Sequence, residues 1–190
     1  MKITVGMDNV IAWSSKRLLD VYNKTYNRNQ TPEDFNPYDL ERATGLDFKS
    51  CLSLVSRTWD GHEKIETVDG APITIRTMTR LQDLGQVSIR ATGVNGVVNQ
   101  MEGWLKSMNI PYDRFDPIII DPATWSSDGS PHNNADVIID SNERAGYPGV
   151  PLLLRKAPWN QATKSPNTIP INAFEEAVPI VRRLSWELWR

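Results

Sequence analysis

The chain is poor in the residues that staple or ligate. It has one cysteine, Cys51, and two histidines, His62 and His132, in 190 residues. An intramolecular disulfide is excluded, and a structural zinc site built from Cys and His is not credible. A basic excess is also missing: 21 Lys and Arg face 23 Asp and Glu, a formal net charge of -2. That argues against a nucleic-acid partner held by phosphate neutralisation. A pocket for a small anion stays open, because it needs only a few local cations. No run approaches the ~18 apolar residues of a bilayer span, and the apolar stretch before Asp8 is too short for a signal peptide. The expectation is a cytoplasmic protein with neither nucleic acid nor membrane as partner.

What is present is an alternation of strand and helix signals. Residues 2–6 alternate polar and apolar, with Ile3 and Val5 on one face, and read as a first strand. Residues 10–26 carry Trp13, Leu18, Val21, Tyr22 and Tyr26 at helical spacing. Thr31-Pro32-Glu33-Asp34 reads as a helix start, with a capping threonine, an early proline and acids at the positive end. Residues 48–59 form a clearer helix through Phe48, Cys51, Leu52, Val55 and Trp59. Asp69-Gly70-Ala71-Pro72 opens another, which Gly85 closes. Residues 87–91 read as a strand and 95–108 as a helix. Ile118-Ile119-Ile120, residues 135–140 and residues 150–154 are apolar runs of the kind found in strands covered on both faces. Residues 157–170 read as loop. Residues 172–189 read as a helix that Pro179 should kink or restart.

This pattern predicts one α/β domain, a three-layer sandwich around a parallel sheet. Residues 14–84 hold helices and no clear strand. They are expected to form a small helical cap inserted after the first strand, over a core of residues 1–13 and 85–190. Ligands of such sheets bind at the C-terminal edge of the strands.

Three stretches carry a resemblance. Ile3-Thr4-Val5-Gly6-Met7-Asp8-Asn9-Val10 resembles the opening motif of the haloacid dehalogenase superfamily, an apolar strand running into Asp-x-Asp. Tyr22-Asn23-Lys24-Thr25-Tyr26, Thr31-Pro32-Glu33-Asp34 and Tyr38-Asp39-Leu40 resemble the cap start of the 5'(3')-deoxyribonucleotidase branch. Asp69-Gly70-Ala71, Asn109-Ile110-Pro111-Tyr112-Asp113, residues 135–140, Pro158-Trp159-Asn160 and Ser185-Trp186-Glu187 are similar to the same branch, in its phage-encoded members as much as its cellular ones. A viral member would work in the host cytoplasm. The resemblance implies a parallel-sheet core with a cap, a nucleophilic aspartate, a second aspartate acting as acid and base, and a magnesium ion. It also implies a Ser or Thr and a lysine that hold the phosphate of a nucleoside monophosphate.

The sequence departs from that pattern at several of these positions. Gly6 falls at the nucleophile and has no side chain to attack or ligate; it is either a natural loss or an introduced change. Asp8 remains as a relic acid. In the second strand Ser88, Arg90 and Thr92 are all candidates to hold a phosphate oxygen. Residues 128–134, where the lysine belongs, contain none, and His132 is the one residue there that can become positive. Asp140 remains, but the acid after it is Ser141. The metal positions reduce to Asp8 and Asp140, few hard oxygen ligands for magnesium. Arg155-Lys156 is a second source of positive charge.

These departures point to a nucleotidase-like protein with little or no phosphatase activity that binds a nucleotide or phosphate in the cap–core crevice. Loss of a catalytic nucleophile elsewhere costs on the order of a million-fold in turnover. The alternatives are an active magnesium-dependent deoxyribonucleotidase and a pseudoenzyme that works through a protein partner or as a homo-oligomer. The last draws on the tryptophans, of which there are seven. Trp13, Trp59 and Trp104 are expected in the core. Trp125, Trp159, Trp186 and Trp189 fit less easily inside.

Overall fold

The computed structural model describes residues 1–120, 134–162 and 167–188. Its centre is β1 (Lys2–Gly6), whose last four residues are all buried. Six strands lie in the order β3-β2-β1-β4-β5-β6, and each neighbouring pair is parallel. The others are β2 (Gln86–Gly93), β3 (Arg114–Ile119), β4 (Val137–Asp140), β5 (Leu152–Arg155) and β6 (Thr168–Ile171). The fold class is the α/β parallel sheet that the alternation predicts. The chain runs one way from β1 to β3 and returns to the other side of β1 with β4. Between β1 and β4 lies the switch in strand order, where crevices open at the C-terminal ends.

Four helices separate β1 from β2: α1 (Ser14–Tyr26), α2 (Leu40–Thr44), α3 (Phe48–Asp60) and α4 (Ala71–Gln82). α5 (Asn95–Ser107) joins β2 to β3, and α6 (Ala177–Leu188) follows β6. One sheet face, with Ile3, Val5, Val87, Ile89, Ile139 and Leu153, packs on apolar residues of α4, α5 and α6. Trp59 and Trp104 meet edge to face there, their centroids 6.4 Å apart. The Trp104 indole N–H donates to the Ile65 carbonyl (3.0 Å), so a large apolar body is buried without stranding its polar atom. A second, smaller cluster gathers Leu18, Leu19, Tyr22, Phe35 and Leu54. It belongs to α1, α3 and the turn before α2. Met78 and Leu81 of α4 belong to the main core instead.

Several local expectations are corrected. Residues 31–34 form a turn, not a helix; the Thr31 hydroxyl donates to the Asp34 carboxylate (3.0 Å), and the next helix begins at Leu40. β3 begins four residues earlier than its apolar run, because it pairs through Arg114, Phe115 and Asp116 as well. β6 falls almost wholly in the stretch read as loop; a pairing with β5 made by the backbone overrides its proline and the polar residues around it. Pro179 does not break α6, which begins at Ala177 and so takes the proline in its first turn, where a missing N–H costs nothing. Trp13 is 39% exposed, outside the core, because α1 begins one residue later and leaves it on the entering loop.

Asp69 ties the returning chain to the core. Its carboxylate accepts from Arg155 Nη2 and from the Phe174 backbone N–H, both at 2.8 Å. The two ion-paired side chains are only 13% and 16% exposed. Removing one partner leaves the other's charge with little water. Asp69→Ala is expected to lower stability by about 2–4 kcal/mol, and Asp69→Asn by less, because it keeps an acceptor. Urea unfolding of the three proteins measures both.

Candidate active site

The crevice is built from the loop after β1 and the end of β4. Met7 N–H donates to the Arg90 carbonyl (2.8 Å), continuing the β1–β2 pairing, and the Met7 carbonyl accepts from Ile11 (3.1 Å) and Ala12 (3.0 Å). This tight return requires a left-handed residue, and Asn9 supplies it with φ 60°, a conformation asparagine tolerates better than most. The Asn9 side-chain oxygen accepts from the Ser15 N–H at 2.9 Å. Asn9 thereby supplies the start of α1 with an acceptor.

Asp140 and Ser141 close β4, 9% and 0% exposed. The Asp140 carboxyl accepts from the Asn142 N–H at 2.8 Å and leans over Gly6. A Cβ placed on Gly6 would lie 2.7 Å from Asp140 Cγ and 3.1 Å from Oδ1, and closer still to Oδ2. The space a nucleophilic side chain would need is therefore taken by a neighbouring acid.

Tyr38, from the segment before α2, reaches into the same place. Its Oη lies 2.7 Å from Ser141 Oγ and 3.2 Å from the Asp8 carbonyl; Ser141 Oγ lies 3.1 Å from that carbonyl, and Asn9 Nδ2 donates to Tyr38 Oη at 3.4 Å. An amide N–H can only donate and a carbonyl can only accept. One of the two hydroxyls therefore donates to the other, and the other donates to the Asp8 carbonyl. Trp159 and Asn160 buttress this chain from the turn Pro158–Asn160, donating to the Ser141 carbonyl at 3.3 and 2.8 Å.

Burial sets the protonation of the site. It pushes Asp140 up to about 7, against the pull of the Asn142 and Ser141 N–H groups, with the Asp8 charge adding to the rise and Arg90 opposing it. Burial also pushes Asp8 up to about 6, with a Ser14 hydrogen bond opposing it. Tyr38 is raised by burial and then by the two acids. Desolvation lowers Arg90, with Asp116 and Asp140 pulling the other way.

Two cavities open near these residues, and Tyr38 is on the wall of the smaller. One, of ≈ 250 Å³, is lined by Gly6, Asp8, Arg90, Thr92, Asp140, Asn142 and Arg144 among others. The other, of ≈ 490 Å³, has Trp13, Leu19, Phe35, Val68 and Trp159 on its wall, with Lys16, Asn23 and Lys156. Of the sequence candidates, the structure brings together Gly6, Asp8, Arg90, Thr92 and Asp140. Ser88 lies on the same strand but pairs in register with Thr4 and Arg114 and does not line the cavity. His132 lies outside the described residues, as do Trp125 and Trp189. Arg155 is committed to Asp69, and Lys156 Nζ donates to the Asn160 carbonyl at 3.2 Å. Tyr38 and Arg144 had been given no role. Tyr38 stood in a motif that carried the resemblance; Arg144 had no signal beyond following Asp140.

A magnesium ion does not fit these residues. Among the described residues no three of His, Cys, Asp and Glu gather where they could hold a metal. Gly6 supplies no carboxylate, and the Asp8 carbonyl already accepts from a hydroxyl of Tyr38 or Ser141.

An open parallel sheet with helices inserted after its first strand is the fold also seen in solved haloacid dehalogenase-like hydrolases. A phosphonoacetaldehyde hydrolase-like protein from Oleispira antarctica matches with a TM-score of 0.63 at 9% identity, over 98% of this chain and 93% of its own. A haloacid dehalogenase-like hydrolase from Bacteroides fragilis matches with 0.62 at 16% identity, over 93% and 98%. The HAD-hydrolase YfnB from Bacillus subtilis, whose structure is bound to magnesium, matches with 0.54 at 12% identity, over 95% and 97%. Identities this low establish the fold alone. No protein-family model and no curated protein sequence matches the chain.

Two outcomes are expected. Folded Asp8 and Asp140 hold protons to about pH 6 and 7, whereas the unfolded carboxyls, with an ordinary value of 3.8, release them earlier. Between those limits the folded state binds more protons, so stability falls as pH rises from about 4 to about 7. Asp140→Asn should flatten this decline and be more stable than the parent at pH 8 by on the order of 2 kcal/mol, measured by urea unfolding across pH in EDTA. Gly6→Ala should cost about 1–3 kcal/mol by overpacking, and Gly6→Ala with Asp140→Ala much less than the two changes summed.

Proposed function

We propose that this protein is a nucleotidase-like member of the haloacid dehalogenase fold that has little or no phosphatase activity. It binds a nucleoside monophosphate or another small phosphate in the crevice between cap and core. The observation that carries this reading is at Gly6. The place of the attacking side chain is filled by the Asp140 carboxyl, while the adjoining cavity keeps Arg90 and Thr92 on its wall. Binding surface has been retained where the reacting group has not.

The division of the crevice supports the ligand class. The smaller compartment carries Arg90, Thr92 and Arg144 on its wall, groups that suit a phosphoryl group. The larger offers the rings of Trp13 and Trp159, and aromatic faces accept bases. Such a protein would act by sequestering or sensing a nucleotide, in keeping with the cytoplasmic setting expected from its single, buried cysteine. The donor set around Asp8 weighs against a magnesium-dependent phosphatase. A protein partner is favoured by one separate observation: Trp186 on α6 is 70% exposed and shares a surface hollow with Arg182 and Arg183.

The test is phosphate release from a panel of nucleoside monophosphates with magnesium, run beside calorimetric binding. The unmodified protein is expected to bind at least one nucleotide and to release no phosphate above the blank. Gly6→Asp is expected to stay silent too, because its carboxyl would meet that of Asp140. Trp159→Ala should weaken nucleotide binding by roughly five- to tenfold, in line with a stacking contact of about 1 kcal/mol, while leaving inorganic phosphate unaffected. Turnover by the unmodified protein would overturn the reading.

A further inference from the structure

We infer that the smaller cavity is a metal-independent oxyanion site in which two arginines, Arg90 and Arg144, do the work of an ion. This rests on the reading that the crevice binds a phosphate ligand, and it says how the charge is met. The cavity wall carries the carboxyls of Asp8 and Asp140, so an anion entering it must be matched by strong local positive charge. The described donor set does not hold a divalent cation, as the Asp8 carbonyl with its two nearby hydroxyls makes plain. The chain supplies guanidinium groups instead, from opposite sides of the cavity.

Arg90 comes from β2, opposite Gly6 in the β1–β2 register. Arg144 comes from the short 3-10 turn Glu143–Ala145 that follows β4. The turn is set by Asn142, whose side-chain oxygen accepts from the Arg144 N–H at 3.0 Å while its own N–H donates to Asp140. The same short segment therefore restrains the acid and presents the cation. Arg144 lines the cavity and forms no ion pair among the described residues. Guanidinium groups are always charged and match the paired oxygens of phosphate through two parallel N–H bonds. Thr92, on the same wall, adds a hydroxyl, and the Asn142 amide nitrogen is a further donor. The ligand class is a tetrahedral oxyanion, free or as the terminal group of a monoester.

The probe is inorganic phosphate, with chloride at equal ionic strength as the control and the full chain as the sample. The unfolding midpoint is followed in EDTA and again in magnesium, and affinity is read by calorimetry. Phosphate is expected to raise the midpoint equally in both, and magnesium alone to leave it unchanged. Arg144→Gln should weaken phosphate on the order of tenfold, as for loss of one charge-assisted contact. It should not move the midpoint measured without phosphate, because Arg144 is exposed. Phosphate that binds only with magnesium would overturn the inference and leave the functional reading standing. Undiminished phosphate affinity in Arg144→Gln would also overturn it. Failure of both phosphate and nucleoside monophosphates to bind in either medium would remove the reading along with the inference.

Discussion

The close approach of the Asp140 carboxyl to the Cα of Gly6 organises this molecule's crevice. It joins the ends of β1 and β4 across the switch in strand order, the point where an open sheet of this kind receives its ligands. A side chain at position 6 would separate them. Its absence lets a buried acid fold inward, keep its proton toward neutrality and take its hydrogen bonds from the next two residues. Ser141, pulled in behind it, then presents its hydroxyl to the Asp8 carbonyl and receives Tyr38 from the insertion.

The fold was legible where sequence pattern and burial agree. β4 and β5 are mainly apolar runs because they are covered on both faces, and β1 alternates with Ile3 and Val5 on the core face; neither pattern can be mistaken for loop. β6 was not legible, since Pro170 lies inside it, polar residues surround it, and its strand character comes from pairing with Leu152–Arg155. Arg114 and Asp116 hid the start of β3 in the same way. Pro179 misled because the periodicity of the last helix extended back past its actual first turn.

For the site, sequence order placed Gly6, Asp8 and Asp140 together, because residues at the ends of adjacent strands must converge. The choice among Ser88, Arg90 and Thr92 could not be made without the register, which sets Gly6 against Arg90 and leaves Ser88 a full pleat behind the crevice. Tyr38 and Arg144 were illegible for a different reason. Their positions depend on how a long insertion folds back and on a three-residue turn, neither of which has a periodic signature. Ser141 registered as the loss of an acid, and its service as a hydroxyl linking cap segment and core becomes visible only with its partners in place.

The segment that holds α1 and α3 has its own small apolar cluster beside the main core, and Val55 of α3 packs against both. Trp59, one turn further along the same helix, is buried in the main core, so the smaller cluster cannot come away without drawing on the core itself. Local opening needs a region with few such ties, and this segment is correspondingly held to the sheet.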